Sequence, residues 1–191
     1  MKKLTGSRTK TAVFISGAGT NLKNLIRFSY NNNSPISIDL VISNTKKAKG
    51  LMYAKNNNIE KIIINFNNQN KSEKRIINIL HKREIKLVCL AGFMKILTKK
   101  FLKKFKGKMI NIHPSLLPKY KGLNTHKRAL ENNEKFSGCT VHYVTSKLDS
   151  GKIIMQKKTN ISKNDNVKSL KKKVLKIEHK LYPEAIRKIF A

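Results

Sequence analysis

The sequence predicts an α/β fold, in which a mostly parallel, doubly wound (Rossmann-like) sheet carries helices on both faces and ends in late antiparallel strands. A length of 191 residues suits one compact domain. Hydrophobic residues make up 39% of the chain, which is enough to form a core. Short β-branched runs alternate with longer, basic, helix-compatible stretches, and this rhythm favours a parallel sheet. We therefore expect a single domain over residues 1–191, with residues 1–10 as a basic N-terminal arm.

Strands and helices alternate over the first part of the chain. Each predicted strand is a short run rich in β-branched residues. The helices have apolar residues at helical spacing, such as Ile76, Ile77 and Leu80 in the third helix. In chain order we predict strand Thr11–Ser16, helix Asn21–Tyr30 (opened by Thr20 or Asn21), strand Ile36–Ser43, helix Lys46–Asn56, strand Lys61–Asn65, helix Lys71–Arg83, strand Lys86–Ala91, helix Thr98–Phe105 and strand Lys108–Ile112.

Beyond Pro114 the pattern changes. A loop over Pro114–Gly122 is stiffened by Pro114 and Pro118. The remaining predicted elements are a helix near Thr125–Asn132, paired strands Ser137–Thr145 and Lys152–Lys158, and a closing helix Val167–Phe190 that Pro183 interrupts.

Composition argues against a membrane or secreted protein. No apolar run approaches the ~18–20 residues of a membrane span. The run Ala12–Ile15 is too short for the apolar region of a signal peptide. Cys89 and Cys139 lie in apolar, strand-like segments, which suits reduced core residues. We therefore predict a soluble, cytoplasmic protein.

The formal net charge of +32 suggests a nucleic-acid binder at first sight. However, 36 lysines outnumber 6 arginines, whereas nucleic-acid recognition favours the planar guanidinium. Lysine, asparagine and isoleucine together supply 79 residues, and all three have A/T-rich codons. Mutational drift therefore explains much of the charge, which would still attract small anionic substrates. We predict small-molecule substrates, no specific nucleic-acid partner, no membrane partner, and a monomer or homodimer.

A glycine-containing junction joins the first predicted strand to the first helix. Glycines in Ser16–Asn21 let the backbone approach an anion, and the helix N-terminus supplies N–H groups. Leu22 stands where a dinucleotide fingerprint would need a third glycine, and no Walker sequence follows. The junction therefore indicates a site for one phosphate, and a simple tight turn remains the alternative.

Two further segments lie where ligands bind in doubly wound sheets, beyond the carboxyl ends of strands. Asn111 and His113 are two apart in an extended run, so their side chains share one face. An amide beside an imidazole can stabilise an oxyanion and move a proton. Asp149, between the late strands, is placed to meet His113, favour its protonated form and raise its pKa. The alternatives are a histidine held by a turn hydrogen bond and an ordinary turn aspartate.

Other chemistries have less support. The histidines, at positions 81, 113, 126, 142 and 179, lack zinc-ligand spacing, and we predict no metal. Ser115 lacks the surrounding glycines of a nucleophile elbow.

Taken in order, several segments closely resemble the phosphoribosylglycinamide formyltransferase family, the folate-dependent enzymes of purine synthesis. The block Asn-Ile-His-Pro-Ser-Leu-Leu-Pro together with the later aspartate is highly specific. The matching segments are Ile15–Leu22, Leu90–Leu97, Asn111–Tyr120, Val141–Val144 and Leu148-Asp149.

The resemblance implies a reaction in which the amine of glycinamide ribonucleotide attacks the formyl carbon of 10-formyltetrahydrofolate, the co-substrate. A tetrahedral intermediate collapses and releases tetrahydrofolate. Asn111 would hydrogen-bond the formyl oxygen, and His113 would stabilise the oxyanion and assist proton transfer. Asp149 would pair with His113 and order a water that relays the proton.

The resemblance also implies ligand-binding residues. Gly19, Thr20 and Asn21 would hold the ribotide phosphate and Glu178 the ribose hydroxyls. The folate would contact Met94, Lys95, Ile96, Leu97, Asn111, Thr145, Ser146, Lys147, Leu148 and Asp149, with Lys71 as the candidate for a basic residue that the family has as arginine.

Departures from the family pattern concern a few positions. Ala18 replaces the usual Asn of the glycine loop, and Lys121 and Asn124 replace commoner Pro and His, which could loosen that later loop. Two alternative functions remain. A relative that formylates methionyl-tRNA shares the fold, although such enzymes carry a tRNA-binding domain beyond the position of Ala191. A basic nucleic-acid-binding protein would need a recognition signature that is not evident here.

Overall fold

The structure, a computed structural model, describes residues 8–191. Most of the predicted N-terminal arm lies outside the described residues, while Thr9 and Lys10 belong to the first strand. The strands are β1 Thr9–Ile15, β2 Ile36–Ser43, β3 Glu60–Ile63, β4 Leu87–Leu90, β5 Lys108–His113, β6 Phe136–Tyr143 and β7 Ile153–Asn160. The helices are α1 Thr20–Ser29, α2 Leu51–Asn56, α3 Gln69–Lys82, α4 Lys99–Lys104, α5 Thr125–Glu131 and α6 Val167–Phe190.

The predicted fold class is confirmed. The sheet has seven strands in the order β3-β2-β1-β4-β5-β6-β7. Strand β1 runs parallel to both β2 and β4, and β2 runs parallel to β3. The late strands β6 and β7 are antiparallel, as predicted. The chain forms two compact units, which meet in the sequence after Ile110. The single domain predicted over residues 1–191 therefore stays a prediction.

The first unit, up to Ile110, is built on fully buried strands. Ala12, Val13, Phe14 and Ile15 are all inaccessible to solvent, as expected for a strand covered on both faces. Two glycines make a close backbone contact at the end of β1. A Cβ on Gly19 would lie 2.5 Å from the Cα of Gly50, and a Cβ on Gly50 would lie 2.8 Å from the Cα of Gly19.

The second unit, Asn111–Ala191, packs α6 against β6 and β7. Leu170, Val174 and Leu181 form the buried stripe of this helix. The helix is continuous from Val167 to Phe190, so the predicted interruption at Pro183 is wrong. Pro183 is itself buried within the helix.

The largest boundary error concerns the second helix. Lys46–Asn56 is predicted as a helix, but α2 begins only at Leu51. Residues before it form turns, in which the Lys47 N–H donates to Thr45 Oγ1 and the Gly50 N–H donates to the carbonyl of Gly17. Side chain and glycine contacts of this kind compete with the helix. The other predicted elements agree with the structure to within a few residues, and Ile36–Ser43 is correct at both ends.

Candidate active site

The carboxylate of Asp149 joins the predicted catalytic residues in the second unit. Its Oδ2 lies 3.3 Å from His113 Nδ1 and accepts the Gly122 N–H at 2.9 Å. Its Oδ1 accepts from Asn111 Nδ2 at 3.5 Å and lies 3.6 Å from His142 Nε2. Asn111 and His113 thus meet one carboxylate from the same face of β5. Asp149 itself sits in the β6–β7 loop with a φ of +44°, a conformation that few aspartates adopt.

Both ring nitrogens of His113 face oxygen acceptors. Nε2 lies 2.9 Å from the carbonyl of Tyr120, while Nδ1 faces Asp149. The contact with Tyr120 is the loop hydrogen bond considered as an alternative above, and it coexists with the carboxylate contact. A neutral ring donates to only one of these acceptors, and a protonated ring donates to both.

The pKa of His113 lies below its ordinary value. Burial is the main cause, because it disfavours the charged ring. The Tyr120 carbonyl and the Asp149 charge act in the opposite direction without overcoming it. The raised pKa that the sequence predicts for His113 is therefore wrong in net direction, although the effect of Asp149 has the predicted sign.

Asp149 is held in its charged form. Burial alone raises its pKa, but the contact with His142, the hydrogen bond from the Gly122 N–H and the proximity of His113 bring the pKa below its ordinary value. The side chain of Asp149 is only 8% exposed, so its charge acts on its neighbours with little screening by solvent.

The loop that bears Tyr120 and Gly122 is held by buried and partly buried hydrogen bonds from the late strands. Thr140 Oγ1 donates to the Ser115 carbonyl at 2.7 Å and accepts the Leu117 N–H at 3.1 Å. Gln156 Nε2 donates to the Leu117 carbonyl and to Thr140 Oγ1, each at 2.8 Å. The loop therefore presents its carbonyl and N–H groups to His113 and Asp149 from a defined position.

The family departures in this loop have defined contacts. The Lys121 carbonyl accepts from Arg128 at 2.7 Å, and Lys121 Nζ donates to Ser150 beside Asp149 at 2.6 Å. Asn124 caps α5 in the left-handed region, with a φ of +58°. Asparagine is well suited to that conformation. The loosening predicted for these two positions is not evident.

In the first unit, the predicted phosphate loop leads into the N-terminus of α1. Gly19 has a φ of +72° and is the N-cap of α1, with Thr20 and Asn21 in the first turn. That turn contains no acidic residue, so its N–H groups and dipole favour an anion. The loop is tied to its surroundings by Ser16 Oγ, which donates to Asn44 and accepts the Met94 N–H.

The remaining predicted binding residues lie in several elements. The segment Met94–Leu97 forms the loop before α4, with Met94, Lys95 and Ile96 exposed and Leu97 buried. Thr145, Ser146, Lys147 and Leu148 are exposed in the β6–β7 loop that ends at Asp149. Glu178 is buried on α6. Burial raises the pKa of the Cys139 thiol on β6, and the charge of Glu178 adds to this effect.

Lys71 lies on an exposed, basic face of α3. It lines a shallow groove of about 400 Å³ together with Lys74, Arg75, Asn78, Ile79 and Lys82. All of these residues belong to α3 itself.

Two negative observations apply to residues 8–191. No group of three or more His, Cys, Asp or Glu side chains in this range could hold a metal ion. No helix in the same range has both the length and the apolar character required to cross a bilayer.

An amide, an imidazole and a carboxylate held together near the end of a strand can stabilise an oxyanion and move a proton, which is what enzymes of acyl transfer require. The family model described as formyl transferase matches residues 9–186. The chain belongs to the formyl transferase family, as its sequence predicts.

The chain is also similar to individual proteins. The chain is 41% identical to the phosphoribosylglycinamide formyltransferase of Haemophilus influenzae, over 93% of this chain and 85% of that protein. It is 42% identical to the human trifunctional purine biosynthetic protein adenosine-3, over 94% of this chain but only 18% of that protein. It therefore spans about a fifth of the trifunctional relatives that it matches.

Solved structures agree with this assignment. The crystal structure of phosphoribosylglycinamide formyltransferase from Brucella melitensis matches with a TM-score of 0.92 and 38% identity, over 97% of each chain. The predicted resemblance is confirmed.

Sequence reasoning missed His142. It considered this histidine only as a zinc ligand, yet the structure places its ring against both Asn111 and Asp149. A signal was available, because His142 lies in one of the segments that carry the resemblance. The Gly122 N–H and the Tyr120 carbonyl were also missed, since they are backbone groups that no residue type identifies.

Proposed function

We propose that the chain transfers the formyl group of 10-formyltetrahydrofolate to the amine of glycinamide ribonucleotide. The observation that carries this proposal is the cluster of Asn111, His113 and Asp149, in a chain that belongs to the formyl transferase family and resembles phosphoribosylglycinamide formyltransferases throughout its length. The cluster supplies a hydrogen-bond donor, a base and a charge next to one another, which formyl transfer requires.

In the proposed reaction, Asn111 Nδ2 donates a hydrogen bond to the formyl oxygen. The amine nitrogen attacks the formyl carbon, and the carbonyl electron pair moves to oxygen and forms an oxyanion. In this proposal a neutral His113 carries its proton on Nε2 and donates it to the Tyr120 carbonyl, so Nδ1 is the basic nitrogen. The proton lost by the amine passes to Nδ1, through a water ordered by Asp149.

Protonated His113 then lies beside the charged Asp149, which stabilises it. The positive ring also stabilises the oxyanion. When the carbonyl re-forms, the bond from carbon to the folate nitrogen breaks, and that nitrogen recovers a proton from His113. Formylglycinamide ribonucleotide and tetrahydrofolate leave, and His113 is neutral again.

The substrates would bind through the residues that the resemblance implies. Gly19, Thr20 and Asn21 hold the ribotide phosphate, which is supported by the geometry of the α1 N-terminus. Glu178 holds the ribose hydroxyls. The folate contacts Asn111, Asp149 and the two loops Met94–Leu97 and Thr145–Leu148, with Lys71 as its basic partner. No metal takes part in this proposal.

A formyl-transfer assay tests the proposal directly. The purified chain is supplied with 10-formyltetrahydrofolate and either glycinamide ribonucleotide or methionyl-tRNA as acceptor. We expect transfer to the ribotide, and His113→Ala should abolish it. Transfer to methionyl-tRNA alone would overturn the proposal.

We also propose that the chain works in the cytoplasm, as a monomer or homodimer, without a specific nucleic-acid partner. The buried thiols of Cys89 and Cys139 support a reducing compartment. If codon drift explains the lysines, affinity for random duplex DNA at physiological salt should be no tighter than the ~10⁻⁴–10⁻⁶ M of non-specific binding. Nanomolar, sequence-selective binding in a fluorescence-anisotropy titration would instead support the nucleic-acid alternative.

A further inference from the structure

We propose that His142 is a positioning residue for the reaction proposed above, on which this inference rests. Its Nε2 accepts one N–H of the Asn111 amide and thereby directs the second N–H towards the formyl oxygen. His142 is only 2% exposed, and it lies on β6 where a register shift between Val141 and His142 interrupts the pairing with β7. Irregularities of this kind re-aim side chains next to active sites.

The surroundings of the His142 ring determine which nitrogen carries the proton. Nδ1 lies 2.9 Å from the carbonyl oxygen of Tyr143. A carbonyl oxygen only accepts hydrogen bonds, so Nδ1 must be the donor. In a neutral imidazole the other nitrogen is then an acceptor, and the nearest donor to Nε2 is Asn111 Nδ2 at 3.3 Å.

The carbonyl of Tyr143 is itself held in place. A Cβ on Gly151 would lie only 1.6 Å from this oxygen, which shows how closely the two backbones approach. The Tyr143 N–H donates to the Lys152 carbonyl at 3.0 Å. The acceptor for Nδ1 is therefore fixed by the backbone on both sides of the β6–β7 loop.

The contacts also determine the orientation of the Asn111 amide. The atom placed as Nδ2 faces His142 Nε2 and the carboxylate oxygen Asp149 Oδ1. Rotating the amide by half a turn would bring its oxygen against two acceptors, which is unfavourable. His142 and Asp149 together therefore hold the amide with its nitrogen towards them.

The distances leave one N–H of this amide for a substrate. Asn111 Nδ2, His142 Nε2 and Asp149 Oδ1 form a nearly equilateral triangle with sides of 3.3, 3.5 and 3.6 Å. Seen from Nδ2, the two acceptors are about 60° apart, about half the ~120° between the two N–H bonds of a planar amide. One N–H therefore points between the two acceptors, and the other points away from both.

Two substitutions separate this role from a merely structural one. His142→Gln can place a carbonyl oxygen near the position of Nε2 and keeps an acceptor for Asn111. His142→Asn keeps a donor near the position of Nδ1, for Tyr143, but loses the acceptor. If His142 acts on Asn111, kcat should fall by about 10²-fold in His142→Asn, the cost of a misplaced catalytic group, and by less than about tenfold in His142→Gln.

The KM values for both substrates should stay within about threefold in each variant, because the lost interaction acts in the transition state. In an Asn111→Ala background, His142→Asn should cause little further loss, since its target is gone. Equal losses in the two His142 variants, a larger loss in His142→Gln, or an undiminished loss in the Asn111→Ala background would overturn the proposal.

A measurement without substrate keeps this test independent of the proposed function. In ¹⁵N-labelled protein, the side-chain amide resonance of Asn111 is assigned by its disappearance in Asn111→Ala. We expect the shift difference between its two protons to be similar in the wild type and in His142→Gln, and to change in His142→Asn, where only Asp149 still accepts from the amide. Unchanged shifts in His142→Asn would overturn the positioning role. A wild type that formylates only methionyl-tRNA would overturn the proposed function and leave this readout intact.

Discussion

Asp149 serves four neighbouring groups with two oxygens. Oδ2 faces His113 and the Gly122 N–H, and Oδ1 faces Asn111 and His142. One carboxylate thus favours the protonated form of the His113 ring and also orients the side-chain amide of Asn111. Because its side chain is largely buried, these interactions are weakly screened.

Replacing this carboxylate tests whether it acts with His113. Asp149→Asn keeps the size of the side chain and removes its charge, so it should lower kcat strongly while leaving both KM values within a few-fold. It should also lower the pKa of His113 further, because the Asp149 charge favours the protonated ring. The pKa can be followed by NMR of the ring protons.

A double variant provides the control for this prediction. Added to His113→Ala, Asp149→Asn should cost much less than it does alone, since groups that act as a unit are non-additive. Rate losses that simply multiply would contradict the proposed pairing.

Gly17 and Gly19 of the predicted phosphate loop differ in how much space a side chain would have. Gly19 has a positive φ and lies against Gly50, whereas a Cβ on Gly17 would meet no atom within 4 Å. Gly19→Ala should therefore lower the free energy of unfolding by about 1–3 kcal/mol or more, and Gly17→Ala should change it little. Denaturant titrations of both variants make the comparison. Equal stability would show that the contact with Gly50 is relieved at little cost.

At the level of elements, the loop before α5 depends on strands that follow it in sequence. Thr140 is fully buried on β6, and its hydroxyl is shared by the Ser115 carbonyl, the Leu117 N–H and Gln156. Such a loop is rigid because strands hold it, and its own prolines are only part of the reason.

Thr140→Val should destabilise the protein by about 2–3 kcal/mol, because it leaves buried polar partners without their hydrogen bonds. It should also lower kcat, since the loop bears the Tyr120 carbonyl that binds His113. Thermal and chemical denaturation measure the first effect, and steady-state kinetics the second. Thr159→Val, at a half-buried position of β7, is the matched control and should change both quantities much less.

The sequence predicts elements well where the local pattern and the tertiary contacts agree. The strand Ile36–Ser43 and the helix Val167–Phe190 are correct at both ends, because their apolar spacing is unambiguous. The early start predicted for α2 is wrong because the contact between Gly50 and Gly17 is a tertiary one. Pro183 does not break α6, since buried packing outweighs a local preference.

The candidate site shows the same division. Asn111, His113 and Asp149 could be proposed from residue type and position, because ligands bind near the carboxyl ends of strands in doubly wound sheets. The lowered pKa of His113 could not, since it depends on how deeply the ring is buried. The role of His142 depends on where its Nε2 atom points, and the spacing of residues in the sequence gives no information about that.

The whole molecule combines a high positive charge with several buried or half-buried histidines. Burial lowers the pKa of His113, His126 and His179 below the ordinary value. Below pH about 6.5 the unfolded chain therefore binds more protons than the folded chain. The added protons also increase the repulsion within a chain whose formal charge is already +32.

Stability should accordingly fall as the pH drops below about 6.5, and it should be largely independent of these histidines above that pH. Urea unfolding at several pH values between 5 and 8 measures the slope. His126→Gln should reduce the slope, because it removes one of the three contributing rings. A free energy of unfolding that rises on acidification would contradict the assignment of these rings as neutral in the folded state.

The contact between Gly19 and Gly50 restricts how this sequence evolves. A side chain added to either glycine would clash with the Cα of the other, and every amino acid has a Cα. No compensating substitution at the partner position can therefore rescue a change at either one, and a suppressor must move the backbone from elsewhere. Glycine codons begin with two guanines, so a genome drifting towards A and T keeps eroding these two positions. If such drift explains the lysines, selection must remove each substitution at these two glycines as it arises.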